Sequence, residues 1–490
     1  MRVVFVIPAS VGDFFSAQFP HTGIAYVSAM LKKHGIETKI IDMRLGYTHT
    51  EALQMIDDFD PEYVGITLYS FGFDRSKETI NTIKQHSNSY KVVIGGPHVA
   101  ALKAKALEDT TADIGVLSEG EYPMLEICQG KPLNEILGIV WKDGDKIVVN
   151  ASRPFDSDLD NLPLPDYESF ELKKYLGYSE RHLPLVTSRG CPYQCVFCSI
   201  KLSMGLKFRA RSPENVVDEI EHWYKKGWVS FEVDDDNFTL DMERAAKICD
   251  LIIERGIKIT WKCDNGVRAD RLTRELLQKM KDAGCIYISF GVEGGNDKML
   301  AALKKSEKLE TIINSVKLAK EVGLGVGATF IIGTPEETYK DFLDSLEIAR
   351  DLPVDHVSFY NMVPYPGTEM YKWAEEHGRF VMDKETFLHN VTGWKNKPIF
   401  ETKEFTEKER VKAYKVAHSL YRKKVLRMKL GKEVGFVAWK LTGNERVELA
   451  MKNMVLKPGI GRFLFNKIKR DPSKAKQPSR LVLDPMTTNT

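Results

Sequence analysis

Two stretches of this chain repeat one rhythm: a short apolar run, a turn, a helical stretch, then another apolar run. In residues 1–125 the strand candidates are Val3–Ile7, Thr38–Asp42, Tyr63–Tyr69, Lys91–Ile94 and Ile114–Leu117. Between them Gly23–His34 and Arg75–His86 place apolar residues three and four apart. This alternation is the mark of a parallel, doubly wound sheet. Such sheets bind ligands at the carboxyl ends of their strands, at the switch point. Those ends carry Pro8–Gly12, Ser70–Gly72, Gly95-Gly96-Pro97-His98 and Ser118-Glu119-Gly120-Glu121. Glycines and small residues there let a large, flat ligand approach the backbone.

The rhythm resumes from residue 183 to about 365. Its strand candidates are Leu183–Ser188, Val229–Val233, Ile257–Lys262, Ile286–Phe290, Val326–Ile332 and His356–Asn361. Ser212-Pro213-Glu214 opens one of the intervening helices, a cap followed by proline at the first helical position. Six strand–helix units predict an open, partial parallel barrel, with functional groups just past the strand ends. Between the two stretches, Asn161-Leu-Pro-Leu-Pro-Asp166 reads as an ordered linker, because each proline restricts its own and its neighbour's backbone. Thr406 and Glu409 form a capping-box pattern before a further helix, with Val411, Tyr414, Ala417, Tyr421, Val425 and Met428 on one face. The fold class expected is therefore α/β: a doubly wound N-terminal domain over 1–135, a linker over 136–182, a partial (β/α)6 barrel over 183–370, a helical and basic region over 371–470, and a disordered tail over 471–490.

Charge and cysteine usage narrow the function. The chain carries a net +2, yet residues 421–490 hold 17 Lys/Arg against 5 Asp/Glu, which leaves residues 1–420 at −10. An acidic body argues against a nucleic-acid enzyme, whose groove would be basic. No run of 18 apolar residues exists, and MRVVFVIPAS reads as a first strand rather than a signal peptide. Seven cysteines in 490 residues make no disulfide scaffold and are expected reduced, in the cytoplasm.

Ser188-Arg-Gly-Cys191-Pro-Tyr-Gln-Cys195-Val-Phe-Cys198 directly follows the first barrel strand. Three thiolates at C-x3-C-x2-C spacing can be aimed at one point, and they are soft ligands for zinc or an iron–sulfur cluster. Three ligands would leave one iron of a four-iron cluster open to a substrate. A zinc site with a distant fourth ligand, or plain buried cysteines, is the alternative.

With Phe197 before the last cysteine, this motif resembles the signature of the radical S-adenosylmethionine (SAM) enzymes. The resemblance implies a [4Fe-4S] cluster on Cys191, Cys195 and Cys198, whose open iron chelates SAM. It also implies reductive cleavage of SAM to a 5′-deoxyadenosyl radical, fed by an electron donor of flavodoxin or ferredoxin type. Phe231-Glu-Val-Asp234-Asp235-Asp236-Asn237-Phe238 resembles an acidic second-strand motif, and Asp235 or Asp236 is expected to accept the SAM ammonium. Phe290-Gly-Val-Glu293 resembles the fourth-strand motif at the SAM ribose or methionine end, though Glu293 could equally serve as a helix N-terminal charge. Ile332-Gly333-Thr-Pro-Glu336 resembles the fifth-strand motif near the adenine, where Gly333 would permit close approach and Glu336 would cap the next helix. Trp261 to Arg268 matches the third strand and its end. Cys128, Cys249, Cys263 and Cys285 are expected to be small buried hydrophobes without a ligand role.

The N-terminal stretch is similar to the cobalamin-binding domain of one radical SAM subgroup, which includes the class B methyltransferases and the anaerobic Mg-protoporphyrin monomethyl ester cyclase. The similarity rests on Gly23–Ala29, Gly95-Gly96-Pro97-His98, Glu119-Gly-Glu121 and Leu162-Pro-Leu-Pro-Asp166. It implies cobalamin contacts from Ser70, Gly95, Gly96, His98 and Glu119. A domain that keeps the fold and binds no cobalamin is the alternative. The Asp-x-His-x-x-Gly motif of many cobalamin domains is absent, since the first loop reads Pro8-Ala-Ser-Val-Gly12. Neither His21 nor His98 is assigned to cobalt, and no residue is assigned to catalysis itself. The resemblance implies methylation of an unactivated carbon in a small-molecule or lipid-like substrate. Ring formation or another oxidoreduction on the same scaffold is one alternative, and a non-catalytic cobalamin or redox sensor another. Basic and apolar residues alternate over 421–470, and two roles fit them: packing on the barrel, or peripheral contact with an anionic membrane.

Overall fold

A computed structural model describes residues 1–9, 17–388 and 397–430, together with positions 433, 436 and 440. The expected tail disorder, the basic segment beyond 430 and most of the Pro8–Gly12 loop lie outside the described residues, as do the side chains of Val425 and Met428.

The N-terminal sheet contains β1 (Arg2–Ile7), β2 (Glu37–Asp42), β3 (Tyr63–Thr67), β4 (Lys91–Gly95), β5 (Ile114–Val116), β6 (Ile139–Asp143) and β7 (Lys146–Val149). Its order is β2-β1-β3-β4-β5-β6-β7. The first five strands run parallel, and β6 and β7 add an antiparallel edge. The apolar run of β1 follows from burial on both faces. Val3, Phe5 and Ile7 join a core with Ile24, Ala25 and Leu31, while Val4 and Val6 join a second core with Ile56, Ile66 and Ile80. The order reverses between β1 and β3, so the crevice for a ligand opens above those strand ends.

The domain boundary expected at 135 falls too early, because the β6–β7 hairpin belongs to this sheet. Its two-residue turn is Gly144-Asp145, with Gly144 at φ 58°. Such a turn between two short apolar runs, Ile139-Val-Trp141 and Ile147-Val-Val149, is a hairpin signal, and it was present in the sequence. The linker that follows is tied down at both ends. Asp166 accepts from Ser28 Oγ at 2.7 Å, and the buried Tyr167 hydroxyl donates to the Pro184 carbonyl at 3.0 Å.

The second sheet is made of β8 (His182–Leu185), β11 (Ser230–Val233), β12 (Thr260–Cys263), β13 (Cys285–Glu293), β14 (Gly325–Ile332) and β15 (His356–Asn361). All six pair in parallel, in the order β15-β14-β13-β12-β11-β8, which is the expected partial barrel. Two short strands, β9 (Ser188–Arg189) and β10 (Arg209–Ala210), pair antiparallel beside it. Alternate residues such as Leu183, Phe231, Trp261, Ile288, Ala328 and Val357 pack against helix residues including Val217, Ile248, Leu277 and Val316. Ser212 caps the helix Pro213–Lys225 as expected, accepting from the Asn215 amide.

The two edges of this open barrel are covered differently. The N-terminal domain meets the β8 edge, where Phe19 stacks on His182 at 4.4 Å. The helix Glu407–Leu430 packs on β15, with Ala413 and Ala417 buried and Tyr421 edge-on to His356. Thr406 and Glu409 form the expected cap: the Glu409 carboxylate accepts from the Thr406 amide and hydroxyl at 3.0 and 2.8 Å.

Candidate functional site

The three-cysteine segment is an excursion from the first barrel strand, closed at its base by the β9–β10 ladder, which pairs Arg189 with Arg209 and Ser188 with Ala210. Gly190 turns the chain at φ 82°, and a Cβ there would lie 2.4 Å from the Lys207 carbonyl, so only glycine fits. The segment is pinned by Cys191 N–H donating to Gly205 O and Val196 N–H donating to Leu303 O. Cys191, Cys195 and Cys198 are free and partly exposed, whereas the other four cysteines are buried, as expected of structural hydrophobes. Burial raises the Cys195 thiol, and the Lys305 and Arg268 cations pull it back. Cys198 is pushed up to about 11, again chiefly by burial. Asn237 Nδ2 donates to Cys191 Sγ at 3.8 Å. Among the described residues no three His, Cys, Asp or Glu groups converge closely enough to hold a single metal ion. The donor set, three neighbouring thiols on one turn, has the softness an iron–sulfur cluster requires.

The acidic run after β11 divides its three carboxyls among three environments. Asp235 is buried and points into the protein. It accepts from Thr187 N–H at 2.6 Å, Thr187 Oγ1 at 2.5 Å and Ser188 Oγ at 2.6 Å. It braces the chain entering the cysteine segment, which corrects the expectation that it meets SAM: its oxygens are already occupied. Asp236 accepts from the Gly190 amide at 2.7 Å and lines the central cavity. Asp234 also lines the cavity, and its carboxyl makes no hydrogen bond among the described residues. Burial, with Glu232, Asp235 and Asp264 nearby, pushes Asp234 up to about 8.

At the end of β13, Glu293 adopts φ 64°, a left-handed conformation that costs a side-chain-bearing residue on the order of 1 kcal/mol. It is buried 3.5 Å from Lys305 Nζ, and burial raises its carboxyl. Both groups act on the Cys195 thiol, so this strand end faces the cysteine segment. Gly333 follows β14 at φ 97°. A Cβ there would lie 2.3 Å from the Arg410 guanidinium, so the glycine makes room for the C-terminal helix. Glu336 does not cap the next helix. Thr338 caps it, and Glu337 accepts from the Gly333 and Thr334 amides at 2.6 and 2.8 Å.

A cavity of about 810 Å³ opens between the two domains. Its N-terminal wall includes Phe5, Gly65, Thr67, Tyr69, Gly95, Gly96 and Glu119. Its barrel wall includes Pro184, Val186, Ser188, Arg189, Asp234 and Asp236. The strand-end glycines thus lie where the sequence expected a flat ligand. Ser70 and His98 do not line it. Ser70 Oγ bonds His98 Nδ1 at 2.9 Å, and His98 is buried in a stack on Phe73 at 4.3 Å. The pair buttresses the β3 and β4 loops instead of meeting a ligand. Glu119 is clamped across the interface by Arg189 at 2.8 Å and Arg209 at 2.9 Å, and Glu121 by Arg189 at 2.7 Å. Tyr69, Asp234 and the two arginines were missed by sequence reasoning. Tyr69 sat one residue from a chosen strand end, and Asp234 at the head of a chosen motif. Nothing local marked the arginines, whose partners lie 68 to 90 residues away.

The fit to cobalamin rests on this wall, where Gly95, Gly96 and Gly120 line the cavity without side chains and Phe5, Val93 and Val116 line it with apolar ones. Comparison with known proteins agrees. The Radical SAM superfamily matches residues 185–349, and the B12 binding domain matches residues 13–128. An uncharacterized methyltransferase of Pyrococcus horikoshii is 29% identical over 454 residues, 89% of this chain and 96% of that protein. The anaerobic magnesium-protoporphyrin IX monomethyl ester cyclase of Cereibacter sphaeroides is 26% identical over 486 residues, 95% of this chain and 76% of that protein. The solved structure of the cobalamin-dependent S-adenosylmethionine radical enzyme OxsB, with aqua-cobalamin and S-adenosylmethionine bound, superposes with a TM-score of 0.71 at 17% identity, covering 98% of this chain and 82% of that one. That last likeness is one of fold.

Proposed function

The chain belongs to the cobalamin-dependent radical SAM enzymes, and from that premise we propose that it transfers a methyl group to an unactivated carbon of a small-molecule substrate. Its cofactors are a [4Fe-4S] cluster, SAM and cobalamin. When bound, the cluster supplies the electron that cleaves SAM, and cobalamin supplies the methyl carrier. The observation that carries the proposal is the shared cavity: the residues leading into Cys191 form one wall and the N-terminal strand ends the other. Transfer between two cofactors needs their reactive faces held against one enclosed space.

In this reading Cys191, Cys195 and Cys198 hold the cluster, and Lys305 and Arg268 favour the thiolate at Cys195. Asp236 and Glu293 receive the polar end of SAM. Gly95, Gly96 and Glu119 border cobalamin. Asp235 and the Arg189 clamp act through the backbone they fix. We place the enzyme in the cytoplasm, where a small flavodoxin- or ferredoxin-type donor would reduce the cluster that radical SAM chemistry requires. No helix among the described residues is long and apolar enough to cross a membrane. A lipid-like substrate or membrane contact rests on the charge of residues 421–470 alone.

A half-reaction independent of substrate tests this function. Anaerobic protein loaded with cobalamin and SAM should, once a reductant has brought the cobalt to cob(I)alamin, form one S-adenosylhomocysteine per cobalamin as the reduced carrier takes the methyl group. The same reductant, feeding the cluster, should also yield 5′-deoxyadenosine. 5′-Deoxyadenosine without S-adenosylhomocysteine would favour ring formation, the reaction named for the Cereibacter relative. Cys195→Ala should lose the cluster and both products, whereas Cys263→Ala should keep its iron.

A further inference from the structure

His21 precedes the helix Thr22–Lys33 and caps it: its Nδ1 accepts from the Ile24 amide at 3.2 Å. A backbone N–H can only donate, so Nδ1 carries the lone pair. Burial and the nearby Arg44 cation lower the His21 pKa to about 4, so the ring is neutral near pH 7. The proton of a neutral imidazole whose Nδ1 is an acceptor sits on Nε2. His21 Nε2 lies 2.9 Å from the Tyr69 hydroxyl. The Nε2–H therefore donates to the Tyr69 oxygen, which leaves the phenolic hydrogen for another partner.

Among the described residues Tyr69 makes no other hydrogen bond. Its side chain lines the cavity beyond the end of β3, at the switch point where β1 and β3 part. We propose that Tyr69 is a cobalamin-contacting residue, a hydrogen-bond donor to an acceptor of the bound cofactor, and that His21 is its positioning residue. A serine or threonine neighbour would leave the direction of the phenolic proton open; a helix-capping histidine sets it. Desolvation raises the phenol above its ordinary value, which keeps it a neutral donor. The inference rests on the assignment of cobalamin to the N-terminal domain.

Two substitutions separate orientation from structure. Tyr69→Phe removes the donor. His21→Asn retains a strong helix cap but is too short to reach Tyr69. The full chain is loaded anaerobically with cob(II)alamin, and both its dissociation constant and its paramagnetic resonance spectrum are recorded. Each variant is expected to bind cob(II)alamin about three- to tenfold more weakly, the worth of one hydrogen bond, with the same spectral change. The double variant should be no worse than either alone. A Tyr69→Phe protein with unchanged affinity and spectrum overturns the contact. A His21→Asn protein that matches wild type while Tyr69→Phe does not overturns the positioning. Additive losses in the double variant also overturn it, since the two residues would then act separately. Wild-type protein that binds no cob(II)alamin would refute the cofactor assignment itself, a different result from any of these.

Discussion

Replacing Arg189 with methionine should open the interface between the two domains without removing a cluster ligand. Arg189 lies two residues before Cys191 and is nearly buried. It donates to Glu119 at 2.8 Å and to Glu121 at 2.7 Å. Methionine preserves the stem over the Tyr26 ring, which the guanidinium now covers at 5.1 Å. Glu119 would keep Arg209 as a partner, whereas Glu121, at 5% side-chain exposure, would be left without one. Stranding one buried charge costs about 3 kcal/mol, the lower end of the range for a broken buried pair. At about 1.4 kcal/mol per decade, that is roughly a 100-fold rise in local opening. A chain of several domains does not unfold in one step, so hydrogen exchange in peptides covering 117–128 and 186–191 is the suitable assay. Adding Glu121→Gln removes the stranded charge and should restore most of the protection. An exchange rate within threefold of wild type in Arg189→Met, or no recovery in the double variant, would refute the reasoning.

Three further perturbations separate roles within the site. Asp235→Ala leaves three buried donors at Thr187 and Ser188 unpaired and should cost at least about 3 kcal/mol; iron content after reconstitution should fall while cobalamin still binds. Gly333→Ala forces a side chain into a left-handed turn against Arg410 and should destabilise the fold by about 1–2 kcal/mol from the backbone alone, read as a lower melting temperature, with SAM affinity unchanged. A loss of SAM binding and unaltered stability would return Gly333 to the adenine site. Asp234 holds its proton to about pH 8 when folded but loses it near 3.8 when unfolded. Its contribution to stability is therefore present below pH 3.8 and lost as pH rises through 8. The urea midpoint of wild type should decline from pH 5.5 to 8.5 more steeply than that of Asp234→Asn, and parallel profiles would count against the raised carboxyl.

Where periodicity is set by local burial, the sequence was sufficient to place the elements. All eleven parallel strands lie within a few residues of their apolar runs, because each sends at least its alternate residues into a core. The β6–β7 hairpin was absorbed into a linker: its strands are short and half-exposed, and they stand outside the strand–helix alternation that marked the others. The cysteines were legible because three ligands on one turn form a local pattern. Asp235 and Asp236 were not separable in the same way. Adjacent residues on a loop leaving a strand point in different directions, and which one turns inward depends on Thr187 and Ser188, almost fifty residues earlier. Arg410 beside Gly333 was hidden for a related reason: a glycine demanded by close approach looks the same whether a ligand or a side chain 77 residues later approaches.

An open barrel of six strands has two unpaired edges and a concave face that water would otherwise fill. Here both edges are covered by segments outside the barrel. At the β15 edge the helix from Glu407 brings its buried Arg410 against Gly333, just past a strand end. At the β8 edge the cover is the domain whose own strand ends face the same cavity. The interface that seals the barrel is thus also the interface that sets the distance between the two cofactor walls. A substitution at Phe19 or Tyr167, neither of which is in the cysteine segment, should on this logic impair methyl transfer more than SAM cleavage. The cluster cysteines lie on a loop of the barrel, while the methyl carrier would lie on the N-terminal domain, whose position against the barrel the seal helps to set. Equal losses in S-adenosylhomocysteine and 5′-deoxyadenosine formation by Phe19→Ala would show that the seal supports the barrel as a whole, and that the cofactor distance is set elsewhere.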